Sequence, residues 1–151
     1  MPCSVFAFVE GAFDLVMARA TSAFMPSSHY PELIAEMTRV ARLGGWIELH
    51  DFGVVRSGSR ALTELTELFK NLMAARGHYP GVGHYLAELI AKAGLRAIRV
   101  KTVTVRSGFP PSRGGRMMLA DYLALLERLS PIMERAGLAS QVRWQHLLEV
   151  A

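Results

Sequence analysis

The sequence predicts an α/β protein with about three mainly parallel strands, helices on both faces, and a helical C-terminal region. Three observations carry this. Short apolar runs alternate with longer stretches of helical periodicity, the order that builds β–α–β units and a parallel sheet. Glycines punctuate the junctions at Gly44-Gly45, Gly77 and Gly94. The chain has 151 residues, 51% apolar and 20% charged, which is enough for one core and unlike a disordered polymer.

Val5 to Phe8 is a short apolar run broken at Glu10-Gly11. Phe13 to Ala18 reads as a short buried strand that leaves through the small, polar Arg19-Ala20-Thr21-Ser22. Ser27-Ser28-His29 is a loop. Pro31 suits the first turn of a helix, where its missing N–H is no loss. Glu32 and Glu36 follow near that positive end. Leu33, Ile34, Met37, Val40 and Ala41 then make one apolar face, and Gly44-Gly45 is expected to stop the helix. Trp46 to Phe52 is the next strand; its imperfect alternation fits a strand covered on both faces.

Gly53 to Gly58 is a loop. Ser59 to Arg76 is the most regular helix, with Leu62, Leu65, Phe69, Leu72 and Met73 in one stripe and Gly77 at its end. His78 to Gly83 is a turn-rich connector. His84 to Ala93 is a short helix with Leu86, Leu89 and Ile90 inward. Arg96 to Arg106 is the longest strand candidate. Its apolar phase switches near Lys101-Thr102, which suggests a bulge. Gly108 to Gly115 is a loop. Helices follow at Met117 to Leu129, after a restart at Ser130-Pro131, and from Ser140 onward with Val142, Leu147 and Leu148. Residues 1–108 thus form the α/β part, and 109–151 a helical cap of the same domain. Three strands make a thin sheet whose edges need covering.

No apolar run approaches the ~18–20 residues that span a bilayer, so no membrane association is expected. The N-terminus meets Glu10 early and has no basic leader, so it does not read as a signal peptide. The single cysteine, Cys3, excludes an internal disulfide and a cysteine-based zinc cluster, and a cytoplasmic location is expected. Net charge is +4, mostly from arginine, and only Arg106, Arg113 and Arg116 cluster loosely. That pattern reads as a solvated basic surface, not a nucleic-acid footprint. His29 and His146 stand alone, so no metal site is expected.

Phe13-Asp14-Leu15-Val16, an amphipathic helix, and then Arg39-Val40-Ala41-Arg42-Leu43-Gly44-Gly45-Trp46-Ile47-Glu48-Leu49 resemble the class I S-adenosylmethionine-dependent methyltransferases of the type 11 kind. There an "FDLV" strand, a helix ending "RVLRPGG" and an apolar strand form the fourth and fifth strands of a Rossmann-like sheet. Leu86 to Leu95 resembles the family's "AGF" helix end, and Ala97 to Val105 stands where the sixth strand would. The helices after Gly115 are similar to an inserted helical region of some small-molecule methyltransferases. The plain alternative is a generic β–α–β unit, which has the same strand, helix, Gly-Gly and strand.

The resemblance implies a methyl transferase acting on a small molecule, with S-adenosylmethionine as cofactor. It implies Ala18, Arg19, Ala20 and Thr21 beside the cofactor's methionine part, and His50 and Asp51 at the strand end facing substrate. Either of these last two is then a candidate general base or orienter, or simply a strand cap. Tyr79 and His84, in the cluster His78-Tyr79 and His84-Tyr85, are candidate substrate contacts, or else a half-buried helix start.

Two departures matter. No glycine-rich loop follows a strand before Phe13, and no ribose-binding carboxylate precedes it. Pro2 stands where the family has an adenine-contacting Asp. The expectation is therefore a substrate-side half, truncated or read from a late start, that is inactive alone. The alternatives are an interaction module that pairs through open strand edges, including as a homo-oligomer, and a domain binding a small acidic ligand through Arg106, Arg113 and Arg116. Gly81-Val82-Gly83 follows a turn and not a strand, so it is no dinucleotide loop. Asp51-Phe52-Gly53 lacks every companion motif of a kinase.

Overall fold

The structure is a computed structural model that describes residues 6–107 and 112–151. Cys3, the Val5 start of the first apolar run, and residues 108–111 of the expected Gly108–Gly115 loop lie outside the described residues. In chain order the elements are β1 (Phe13–Arg19), α1 (Tyr30–Val40), β2 (Ala41–His50), α2 (Arg60–Ala75), α3 (Leu86–Lys92), α4 (Arg113–Arg135) and α5 (Gln141–Glu149), with short 3-10 turns at Thr21–Ala23, Ser27–His29 and Val82–His84. The chain divides into two compact units, Met1–Val54 with Met73–Val100 and Val55–Leu72 with Lys101–Ala151.

The first unit is a parallel β–α–β unit. β1 pairs with β2 in the register Leu15–Trp46, Val16–Ile47, Met17–Glu48, Ala18–Leu49 and Arg19–His50. Alternation puts Val16, Ala18, Ile47 and Leu49 on one face. α1 covers that face with the buried Tyr30, Leu33, Ile34, Met37 and Val40. Leu49 packs on a small cluster of Tyr30, Val82 and Leu86 that brings in α3.

The other face carries Phe13, Leu15, Met17 and Trp46, all at least one-third exposed. The Arg99 guanidinium lies over the Trp46 ring, 5.1 Å from its centroid. The expected buried strand is thus buried on one side only.

Gly44-Gly45 does not stop α1. The helix ends at Val40, Ala41 is already extended, and the glycines lie inside β2. There the register jumps from Phe13–Ala41 to Leu15–Trp46. Arg42 to Gly45 loop out of the ladder, with Leu43 almost fully exposed and Gly44 at φ +75°. A side chain at Gly45 would strike the carbonyls of Arg42 and Asp14. The glycine pair therefore serves a bulge.

The third strand expected over Arg96 to Arg106 does not form. Val100 and Val103 are about 70% exposed. β-propensity describes a residue that fits a pleated surface, and a strand exists only when a neighbouring edge pairs with it. Among the described residues the sheet has two strands, not three.

The second unit is helical. Leu62, Leu65 and Leu72 of α2, Leu126 and Met133 of α4, and Trp144 and Leu147 of α5 form its core. The Trp144 indole Nε1–H donates to the Leu126 carbonyl at 2.8 Å. The Ser140 hydroxyl caps α5 by accepting from the Arg143 N–H. The expected stripe in this helix is shifted: Val142 points to solvent, and Trp144 is buried instead.

α4 runs unbroken through Pro131, against the expected restart at Ser130-Pro131. Proline removes one intrahelical hydrogen bond. The apolar face continues past it, however, from Leu126 and Leu129 to Ile132 and Met133, and packing holds the helix together. The Ser130 hydroxyl is buried there without a hydrogen-bond partner. Ser130→Ala is expected to leave stability unchanged or raise it by up to about 1 kcal/mol, read from denaturant midpoints, because it removes an unsatisfied polar atom. A loss above that size would show that the hydroxyl has a partner.

Candidate functional site

Ligands of open α/β sheets gather at the carboxyl ends of the strands. In the first unit several segments converge there. Asp51 follows β2 directly, and its carboxylate accepts five hydrogen bonds. Oδ2 accepts from the Thr21 hydroxyl (2.9 Å), the Ser22 N–H (3.0 Å) and the Tyr30 hydroxyl (2.8 Å). Oδ1 accepts from the Ser22 hydroxyl and from the Phe52 N–H (2.8 Å).

Five donors meet the roughly four lone-pair sites a carboxylate presents. Burial raises the Asp51 pKa, but the bonds from Ser22, Tyr30 and Phe52 outweigh it, and the net direction is down. Asp51 is therefore a locked anion that ties the β1 exit to the end of β2. Burial is also the main cause that pushes the Tyr30 hydroxyl up; the Thr21 bond opposes it and Asp51 reinforces it. Ala20, next in the turn, is held in the left-handed region at φ 54° while its N–H donates to the His50 carbonyl at 2.8 Å. A non-glycine residue there is strained, and the Asp51 bonds to Thr21 and Ser22 fix the turn.

His50 lies on the open face of the sheet. Its Nε2 is 2.5 Å from Glu48 Oε1, and both side chains are about half exposed. Residues i and i+2 of a strand share a face, which brings the two together. A carboxylate only accepts, so Nε2–H donates to Glu48 and Nδ1 is left to accept a proton. Arg19 stands opposite His50 in the register.

The Val82–His84 turn packs against the same end. The Gly83 N–H donates to the Phe52 carbonyl at 3.1 Å, and a Cβ at Gly83 would collide with the Asp51 and Phe52 backbone. Gly81-Val82-Gly83 is thus a close-packing turn. The His78 ring Nδ1–H donates to the Ser22 carbonyl at 3.0 Å. Tyr79 meets Tyr85 edge to face, with centroids 5.5 Å apart. His84 lies against Gly53.

The structure therefore brings Thr21, His50, Asp51 and His84 to one end of the sheet, as residues 18–21 and 50–51 suggested. The sequence reading did not pick out Ser22, Tyr30 and Glu48. Only Glu48 left a signal, its two-residue spacing from His50.

The four positions assigned to S-adenosylmethionine by resemblance do not by themselves fit it. Ala18 offers a methyl group, the Ala20 N–H is given to His50, and the Thr21 hydroxyl is given to Asp51. Among the described residues no cluster of three metal-ligating side chains occurs, and no helix is long and apolar enough to cross a membrane. A scan of protein-family models, a search of curated proteins and a search of solved structures each return no match.

Proposed function

We propose that this chain forms the acceptor side of a small-molecule methyl-transfer site of the S-adenosylmethionine-dependent kind, with the cofactor held by elements beyond Ala18–Thr21. The observation that carries the reading is the convergence at the carboxyl end of a parallel strand pair. There His50, oriented by Glu48, faces the open side of the sheet beside a turn anchored by Asp51. An imidazole so held takes the proton of an O–H or N–H acceptor, and the anchored turn fixes the acceptor's position.

Calorimetric titration tests this. The chain is expected to show no micromolar binding of S-adenosylmethionine; such binding by a monomer would overturn the assignment of the cofactor to other elements.

The bare sheet face supports a second reading, an interaction module. Leu15, Met17 and Trp46 are each about half exposed on one face of a parallel sheet, and such sheets bury both faces. Sedimentation velocity over a concentration series is expected to show self-association, and Leu15→Glu is expected to reduce it. A stable monomer at every concentration would defeat this reading.

A further inference from the structure

The second unit holds a groove that neither reading uses. A shallow groove of about 470 Å³, open to solvent along one side, lies between the first turn of α2 and one side of α5. Its ionisable lining is Arg60, Glu64, Arg143 and His146. The Arg143 guanidinium donates to the Glu64 carboxylate across the two helices, a surface pair that cancels one positive charge. Arg60 is left without a second carboxylate in the lining, so the groove is net positive, and His146 adds a ring N–H. The rest of the wall is largely apolar, from Ala61, Leu147 and Val150. Ser59 closes the end and accepts from the Leu62 N–H at 3.2 Å. The Arg106, Arg113 and Arg116 cluster of the sequence reading is not part of this lining.

We propose that this groove binds a small organic acid. Its carboxylate or phosphate head lies against Arg60, Arg143 and His146, and its apolar body against Ala61, Leu147 and Val150. A guanidinium can give an oxyanion two parallel bonds. The apolar wall selects an acid with a hydrocarbon body over a bare inorganic ion, because each buried methylene adds favourable transfer free energy.

The test uses the full chain and ¹H–¹⁵N shift titrations with inorganic phosphate, phenyl phosphate and benzoate. One of the aromatic acids is expected to bind roughly tenfold more tightly than inorganic phosphate, with shifts centred on Ala61, Arg143 and Leu147. The tighter of the two identifies the head group. Arg60→Gln, at an exposed position, is expected to weaken binding roughly tenfold, the equivalent of one lost charge-assisted bond, with an unchanged melting curve. Arg60→Lys recovers part of the loss. Arg128→Gln, on α4 outside the groove, changes nothing. The proposal is overturned if no ligand shifts these residues at millimolar concentration, if inorganic phosphate binds as tightly as the aromatic acids, or if Arg60→Gln binds as well as the parent.

Discussion

Replacing Trp144 with alanine is expected to destabilise the second unit by about 3–5 kcal/mol, the cost of emptying a buried indole site. Trp144 has no exposed surface and packs among Leu126, Met133 and Leu147. α5 has only nine residues, and a helix that short is marginal without tertiary contacts. Its capping serine and the Arg143–Glu64 pair lie at the surface, where each contributes little. The indole and Leu147 therefore hold α5 in place. Trp144→Phe keeps most of the apolar volume and loses the bond to the Leu126 carbonyl, so a smaller loss of about 1–2 kcal/mol is expected. Urea denaturation followed by far-UV circular dichroism measures both. A cost near zero for Trp144→Ala would show that α5 is anchored by something else.

The parts of this fold that were legible in the sequence are those set by local periodicity. β1, α1 and β2 follow from an apolar run, a stripe at Leu33, Ile34, Met37 and Val40, and a second apolar run. What periodicity cannot see is partnership. Ile98, Val100, Val103 and Val105 have the composition of a strand, yet no edge among the described residues pairs with them. Phe13, Leu15 and Met17 are as apolar as core residues, yet they face outward because no layer covers that side within the described residues. Pro131 misled for the opposite reason: its local cost is real, and the apolar face on both sides of it outweighs that cost.

At the site, His50 and Asp51 were legible as a strand end. The cluster around Asp51 was not, because it joins residues 21 to 30 positions apart in the chain. The parallel pairing of β1 with β2 and the packing of α1 against them bring these residues together.

Asp51→Asn is the second large change expected, a loss of about 2–4 kcal/mol from the first unit at neutral pH. The asparagine NH₂ would face donors where the carboxylate accepts them. Ser22, which is buried and donates to both carboxylate oxygens, would lose one of its two bonds. Asp51→Ala, which leaves the donors open to water, is expected to cost a similar amount.

The effect carries a pH signature. The folded-state pKa of Asp51 lies below its ordinary 3.8, so the folded protein favours the ionised form. The stabilisation is complete above that ordinary value and disappears as pH falls through the lowered one. The gap between parent and Asp51→Asn is therefore expected to be flat from neutrality down to about pH 5 and to narrow below about pH 4. Tyr30 acts at the other end of the scale. Its raised pKa makes the folded state hold the phenolic proton, so the parent loses stability as pH rises above the ordinary tyrosine value of 10.0. Tyr30→Phe removes that share of the alkaline loss and also weakens the acid limb, because its hydroxyl is one of the donors that lower the Asp51 pKa.

Asp14 provides the contrast. It pairs with Arg42 in the open, and Asp14→Asn is expected to leave the denaturation curve unchanged. If Asp51→Asn behaved like Asp14→Asn, or if its gap did not change with pH, Asp51 would not anchor the turn, and the positioning of Thr21 and Ser22 would need another cause.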